Sequence, residues 1–287
     1  MVTVRGIARH GDGFADVVRA FISQVHPVFM LPPLAASAFG AVLAGRVEPL
    51  LLGVHLLAAF AALYTAHVKD GYVDFHVRGE DDDHPMTARG CRVALLAASA
   101  VFFACALALG ALVGPVAALL TLPGWVIGYL HAPQLDLDPV GATAGYPTGI
   151  AFGLLGGHYV QAEALPPVVV AFAAVFLAVL SGIKTIDDAK DYDYDRSIGK
   201  RTVAVVLGPR RARTLAYGLM ATGMGTVVAL ALVGVFPPTS AVAVAAFAVV
   251  AAFAARAGPA LATKLLIRGS YLFLAVLVAA VWFRPLG

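Results

Sequence analysis

The sequence predicts an all-α integral membrane protein, a bundle of about nine transmembrane helices. Of its 287 residues, 60% are hydrophobic and 13% are charged, and a soluble domain usually carries about twice that charged fraction. Apolar tracts long enough to cross a hydrocarbon layer of about 30 Å recur along the whole chain. These tracts are residues 24–45, 49–69, 92–112, 115–133, 142–162, 165–185, 211–233, 238–257 and 266–284.

Short connections between the tracts indicate antiparallel neighbours in a bundle, as at Gly114-Pro115. Glycines within the fifth tract would let helices pack closely. These are Gly153, Gly156 and Gly157. We expect one domain over residues 1–287. Residues 1–20 should form a cytoplasmic N-terminal segment, which is too polar to be the apolar core of a cleaved signal peptide.

The basic residues predict the orientation. If the N-terminus is cytoplasmic, every Lys and Arg except Arg46 and Arg284 falls on a cytoplasmic segment, as the positive-inside rule requires. We therefore expect a multi-pass protein of the cell membrane. No basic run is interleaved with aromatic residues, so no nucleic-acid partner is expected. Cys91 and Cys105 lack a CxxC spacing and are expected to be structural.

Acidic residues are concentrated in two segments, each of which follows a predicted span. Six of the 17 lie within residues 70–83 and five lie within residues 187–195. A spacing of four residues recurs in both segments, which on a continuous helix places the carboxylates on one face. It relates Asp70 to Asp74, and Asp187 to Asp191 and Asp195.

Carboxylates stacked on one helix face repel each other unless cations lie between them. Their oxygens are hard ligands that suit Mg²⁺, which commonly binds one or two carboxylates together with substrate phosphates. Two such clusters, with Lys and Arg nearby, favour a diphosphate held through bridging magnesium. The alternative is that both clusters are solvated cytoplasmic loops, as in many transporters.

The two segments resemble the Asp-rich motifs of the UbiA family of membrane prenyltransferases, which have nine transmembrane helices. The first family motif is Asn or Asp, three residues, Asp, six residues, Asp, and it matches Asp70, Asp74 and Asp81. The second is Asp, two residues, Asp, three residues, Asp, and it matches Asp188, Asp191 and Asp195. The following run from Arg196 to Gly208 also resembles the family.

The resemblance implies Mg²⁺-dependent transfer of an isoprenyl group from an allylic polyprenyl diphosphate to a lipophilic acceptor, on the cytoplasmic side. The six motif aspartates would bind Mg²⁺ and carry the catalysis. Arg78, Lys184 and Lys190 are candidates for contact with the diphosphate, and each is equally well explained as a positive-inside anchor. The acceptor stays open among a quinone precursor, a glycerol lipid, a tetrapyrrole and a carotenoid. Membrane lipid surrounds the protein, and no obligate protein partner is evident.

The resemblance covers nearly the whole chain, including His26-Pro27 near the first tract, where the family often has Arg-Pro. One feature departs from the family pattern. Asp136 and Asp138 stand after the fourth tract, where the family usually has basic residues, so the role of that loop is in doubt.

Two other functions remain as alternatives. A transporter with acidic cytoplasmic gates should show related halves and charges in the middle of its spans. A lipid diphosphate phosphotransferase should show a nucleophile or a paired histidine motif beside the acids. Neither pattern is apparent in the sequence.

Overall fold

The computed structural model describes residues 6–283, and this part of the chain is helical. Beyond an isolated bridge between Ala8 and Met86, no strand forms there. Residues 1–5 of the N-terminal segment, together with Arg284, lie outside the described residues. The helices are α1 (Phe14–Ile22), α2 (Pro27–Leu43), α3 (Pro49–Gly71), α4 (Ala88–Leu112), α5 (Pro115–Leu130), α6 (Pro139–Ala162), α7 (Pro167–Lys190), α8 (Tyr192–Ser197), α9 (Val203–Leu207), α10 (Pro209–Leu232), α11 (Ser240–Arg256) and α12 (Pro259–Phe283).

Proline is the first residue of most of the long helices. It begins α2, α3, α5, α6, α7, α10 and α12. The first turn of a helix has no internal acceptor for its N–H groups, so the missing N–H of proline costs nothing there, and its fixed φ favours the helix. These prolines explain why the connections are short and why the helix boundaries are sharp.

Each predicted tract coincides with one long helix, but nine membrane spans are not confirmed. Five helical segments are long and apolar enough to cross a membrane: Pro49–Arg78, Ala88–Leu112, Pro167–Lys190, Pro209–Leu232 and Pro259–Phe283. A sixth candidate is the pair α1 and α2, which are bent by 64°. Helices α2, α5 and α11 have 16 or 17 residues. At 1.5 Å per residue they are about 24–26 Å long, which is shorter than the hydrocarbon layer.

The chain divides into two compact units. Of the described residues, the first unit contains 6–135 and 152–165, and the second contains 136–151 and 166–283. The first acidic segment belongs to the first unit and the second segment to the second unit. The single domain expected over residues 1–287 stays a prediction.

In the first unit, α3 packs against α2, α4 and α5. Small residues allow a close approach of α2 to the second half of α6, since a Cβ added to Gly157 would lie 2.1 Å from the carbonyl oxygen of Ser37. The close packing expected of this glycine is therefore confirmed. Two histidines are buried in this unit with partners: His55 Nδ1 bonds the Ser37 hydroxyl at 2.7 Å, and His158 Nδ1 donates to the Gly40 carbonyl at 3.1 Å.

In the second unit, α7 packs against α10 and α12, and α11 packs against α12. A Cβ on Gly182 of α7 would lie 2.6 Å from the carbonyl oxygen of Ala216 on α10. Thirteen residues of α7 are buried, so this helix forms the core of the unit. The second acidic segment begins at its end and therefore stands on a firmly packed helix.

Candidate active site

The first acidic motif starts on the last turn of α3 and continues through a π-helical segment, Tyr72–Arg78. The segment ends at Gly79, which has φ +67°. The predicted continuation of the helix is therefore present, but the wider π-helical turn replaces the α-helical one. Single π-helical turns inside α-helices are frequent at functional sites because they reorient side chains without ending the helix.

A cavity of about 300 Å³ is lined by all three aspartates of the first motif. Asp70 and Asp74 reach it from the helix and are half-buried, whereas the exposed Asp81 reaches it from the following loop. Asp70 Oδ1 lies 3.9 Å from Nε2 of His131. Three hard oxygen donors thus line one space, and this is the donor chemistry that Mg²⁺ takes in proteins.

Arg78 lies within the same motif and pairs with its acids. Its guanidinium is 3.4 Å from Asp74 Oδ1 and 3.6 Å from Glu80 Oε1. The side chain is largely buried, so these ion pairs are weakly screened. Arg78 therefore offsets part of the negative charge of the first motif.

The N-terminal segment holds the loop that follows the motif. The Arg9 side chain donates to Asp83 at 3.0 Å and to the His84 carbonyl at 3.3 Å, and its guanidinium lies 4.3 Å from the ring centre of Phe75. The Arg9 backbone N–H donates to the Pro85 carbonyl at 2.9 Å. Contacts more than 70 residues apart in sequence thus position the loop that carries Asp81.

Sequence reasoning missed several polar side chains that line the cavity. His26 was considered only as part of the family resemblance, and it packs against His67 with ring centres 4.6 Å apart. His67 precedes Asp70 by three residues, which is one turn on the same helix face, and this spacing could have identified it. Gln24 and His84 also line the cavity, and His84 stands close after Asp81 in the sequence.

The second acidic motif crosses the junction between α7 and α8. Asp191 lies between the two helices with φ −95° and ψ 14°. Its N–H nevertheless donates to the Asp187 carbonyl at 3.2 Å, and the Asp195 N–H donates to the Asp191 carbonyl at 2.9 Å. Asp187, Asp191 and Asp195 are therefore linked by backbone hydrogen bonds between residues four apart, as the predicted spacing requires, although the helix is not continuous.

Two aspartates of this motif are buried near one lysine. Asp188 is 2% exposed, forms an ion pair with Lys184 and accepts a hydrogen bond from the Thr143 hydroxyl at 3.2 Å. Asp195 is also buried. Burial, together with the nearby charge of Asp188, raises the pKa of Asp195 to about 6. A divalent cation at Asp195 would relieve this cost because it would favour the ionised form.

The third aspartate of the motif has a different partner. Lys190 Nζ lies 2.9 Å from Asp187 Oδ1 and 3.2 Å from Asp191 Oδ2. These side chains are about one-third to one-half exposed. The predicted ligand set thus falls into a buried part, Asp188 and Asp195 with Lys184, and a more exposed part, Asp191 with Lys190.

The structure explains one of the two acidic residues in the loop after α5. Asp138 Oδ1 accepts a hydrogen bond from the Gly141 N–H at 2.6 Å, so it caps the N-terminus of α6, where a negative charge is favoured by the helix dipole. Asp136 lies in a 3₁₀ turn, Leu135–Leu137, and its carbonyl accepts from the Arg201 N–H at 2.8 Å. Asp138 thus has a structural reason to be acidic.

The model of the UbiA prenyltransferase family matches residues 29–260, which include both acidic motifs. The chain belongs to the UbiA prenyltransferase family. It is an intramembrane prenyltransferase and, with its several long apolar helices, a multi-pass membrane protein.

Solved structures of UbiA proteins share the fold. A digeranylgeranylglyceryl phosphate synthase matches with a TM-score of 0.74 at 11% identity, over 93% of this chain and 99% of that one. A UbiA homologue from Archaeoglobus fulgidus, bound to GPP and Mg²⁺, matches with a TM-score of 0.69 at 18% identity over the same shares. The apo homologue from Aeropyrum pernix K1 gives 0.61 at 19% identity, over 92% of this chain and 100% of that one. No curated protein matches the sequence.

Proposed function

We propose that this prenyltransferase uses Mg²⁺ to transfer an isoprenyl group from an allylic polyprenyl diphosphate to a lipophilic acceptor, at the cytoplasmic side of the membrane. The cavity lined by Asp70, Asp74 and Asp81 is the observation that carries the proposal. The Archaeoglobus fulgidus homologues bound to GPP and Mg²⁺, and to DMAPP and Mg²⁺, support it.

The aspartates of the two motifs are the proposed magnesium ligands. Asp70, Asp74 and Asp81 hold one ion, and Asp188, Asp191 and Asp195 hold another. Magnesium supplies positive charge that stabilises the diphosphate as it leaves. The fit is supported by the cavity in the first unit and by the buried, disfavoured carboxylate of Asp195 in the second.

Residues of the chain itself are proposed to contact the diphosphate and to exclude water. Lys184 has two further N–H donors beyond its bond to Asp188, and we assign these to diphosphate oxygens, with Lys190 and Arg78 as further cationic contacts. The apolar helices keep water from the allylic cation that forms when the C–O bond breaks. The acceptor is proposed as a quinone precursor, a glycerol lipid, a tetrapyrrole or a carotenoid. In residues 6–283 no feature favours a transporter or a lipid diphosphate phosphotransferase.

The test combines product identification with motif variants. Purified protein is incubated with labelled geranylgeranyl or farnesyl diphosphate, Mg²⁺ and a lipid extract, and the labelled lipid is identified. Asp74→Ala and Asp191→Ala should abolish turnover while the protein stays folded, and EDTA should do the same. Asp193→Ala, which changes an exposed aspartate of α8 outside the motif positions, is the matched control and should remain active. Full activity in both motif variants, or in EDTA, would overturn the proposal.

A further inference from the structure

Three residues beside the first acidic motif bring metal-ligating atoms together. His76 is on the π-helical segment, His84 is on the loop after Asp81, and Cys91 is in the first turn of α4. One ligating atom from each of the three lies within 4.8 Å of the other two. The proposed magnesium site does not use them as ligands.

The backbone of Met86 lies between these side chains. The Met86 carbonyl oxygen is 3.0 Å from His84 Nδ1 and 3.0 Å from His76 Nε2, and the Met86 backbone nitrogen is 3.1 Å from the same His84 Nδ1. His84 Nδ1 also lies 4.0 Å from Cys91 Sγ. Both rings therefore direct a nitrogen toward one carbonyl oxygen, and the thiol is next to it.

The spacing of the ligating atoms is close to that of a tetrahedral zinc site. Zinc binds imidazole nitrogen at about 2.0–2.1 Å and thiolate sulfur at about 2.3 Å, so neighbouring ligand atoms in its tetrahedral shell are about 3.3–3.6 Å apart. The 4.8 Å limit for the three atoms exceeds this by about 1 Å, a distance that side-chain rotation can supply.

The donor set selects a soft metal ion. Thiolate and imidazole suit Zn²⁺, whereas Mg²⁺ takes oxygen ligands. The ion replaces the protons of the thiol and of the ligating ring nitrogens, so binding does not depend on which tautomer the free rings adopt. The Met86 carbonyl oxygen can serve as a further donor, as backbone oxygens do at some sites that have two histidines and one cysteine.

Burial and charge also favour a cation at this point. Cys91 is 0% exposed and His84 is 4% exposed, whereas His76 is half-buried and gives a path for entry. A Zn²⁺ ion with one thiolate keeps a net positive charge, and His84 lines the same cavity as the aspartates of the first motif. Their negative charge would stabilise the bound ion, because opposite charges attract strongly where water is largely excluded.

We propose that His76, His84 and Cys91 form a zinc site that fastens the loop carrying Asp81 to the π-helical segment and to α4. The site is distinct from the magnesium site in its ligands and in the class of ion that it takes. The inference is independent of the proposed function, since zinc binding needs no prenyl substrate.

Cobalt provides the test because Co²⁺ enters tetrahedral zinc sites and its absorption reports the ligands. The purified full chain, freed of metal with a chelator, is titrated with Co²⁺ in excess Mg²⁺. One equivalent should produce the near-ultraviolet charge-transfer band of a cobalt–thiolate bond and the visible bands of tetrahedral cobalt, and Zn²⁺ should abolish both. Cys91→Ser should remove the charge-transfer band. Cys105→Ser, which changes the other buried cysteine of α4, is the matched control and should retain it.

Two further variants separate the zinc ligands from the neighbouring acids. His76→Asn should weaken zinc binding by at least about 100-fold, because the loss of a residue that merely orients a ligand already costs about 10- to 100-fold. Asp74→Asn should retain the charge-transfer band, since its carboxylate is not a zinc ligand. Zinc should also raise the melting temperature of the wild type and of Cys105→Ser, but not that of Cys91→Ser, because an ion that binds the folded state stabilises it.

The proposal would be overturned if the wild-type protein gave no charge-transfer band, or if the band persisted in Cys91→Ser. The three residues would then be a hydrogen-bonded cluster around Met86, and cobalt bound without the band would lie at carboxylates. If Cys91→Ser does not fold, X-ray absorption of the zinc-loaded wild type replaces it. One sulfur at about 2.3 Å from zinc is expected, and a shell of nitrogen and oxygen alone would also overturn the site. Each of these outcomes leaves the proposed prenyl transfer in place.

Discussion

Asp191 and Asp195 belong to one motif, yet their surroundings differ. Asp191 is half exposed and pairs with Lys190, whereas Asp195 is buried, and its pKa is raised to about 6 by burial and by Asp188. A carboxyl group with a raised pKa destabilises the fold when it is ionised, because the folded state prefers the protonated form. Without its metal ion, a protein with such a residue at the metal site therefore has a lower free energy of unfolding.

Asp195→Asn should therefore stabilise the metal-free protein at neutral pH. In EDTA at pH 7.5 we expect a gain of about 1–2 kcal/mol, after allowance for solvent screening of the shift. The gain should shrink as the pH falls from about 6 toward the ordinary range of Asp, since the folded wild-type residue is then protonated as well. Melting curves at pH 5 and pH 7.5 provide the measurement. A gain that is independent of pH would contradict this explanation.

Elements far apart in the sequence hold the first motif in place. The chain leaves α3 as a π-helical turn, and the segment before α1 then contacts the loop that carries Asp81 and His84. Arg9 reaches this loop through a side-chain ion pair with Asp83, a hydrogen bond to the His84 carbonyl and the ring of Phe75.

Arg9→Ala should loosen this loop and weaken substrate binding without changing the residues that line the cavity. Partly exposed ion pairs contribute less than about 1 kcal/mol each, so an increase of about 2- to 5-fold in KM for the prenyl diphosphate is expected, with little change in kcat. Arg19→Ala is the control, because the ion pair that Arg19 forms within residues 6–283 is a local one, with Asp16 three residues before it. An equal effect of both substitutions would show that the loop contact has no special role.

Helix packing in the first unit depends on small residues. Gly157→Ala would place a Cβ 2.1 Å from the Ser37 carbonyl oxygen, and this overpacking should cost about 1–3 kcal/mol. Gly53→Ala in α3 meets nothing within 4 Å, and it should stabilise the helix by up to about 1 kcal/mol. Melting temperatures of the two variants in detergent should move in opposite directions. A parallel shift would mean that helix propensity, rather than packing, controls position 157.

For the whole molecule, the asymmetry of basic residues is the argument for orientation. The longest basic stretch surrounds the second acidic motif, and Arg46 stands apart on the short connection between α2 and α3. Because Lys and Arg are retained on the cytoplasmic side, both motifs are proposed to face the cytoplasm.

Cysteine labelling tests this orientation. Asp82→Cys and Ser197→Cys change exposed residues next to the two motifs, and Arg46→Cys changes an exposed residue on the α2–α3 connection. In inside-out vesicles a membrane-impermeant maleimide should label the first two variants and not the third. The wild-type protein is the control, since Cys91 and Cys105 are buried. Labelling of Asp82→Cys and Ser197→Cys from opposite sides would contradict the proposal.

Part of this site was predictable from local patterns, and part was not. The spacing of Asp70 and Asp74 is a property of a few neighbouring residues, and it identified two residues that do line one cavity. The pairing of Lys190 with Asp187 and Asp191 was not predicted, and its contact with the diphosphate stays a prediction. Nine membrane spans stay unconfirmed, because hydropathy along the chain does not show how long each helix will be, and α2, α5 and α11 have only 16 or 17 residues.

Apolar tract length and residue spacing are local signals, so the helical membrane class, the family and the positions of both acidic motifs could be read from the sequence. Only the tertiary structure shows which aspartates are buried and which lysine each one contacts. These features depend on contacts between distant segments, such as residues 9 and 83, and on the exclusion of water from particular atoms, which no local pattern records.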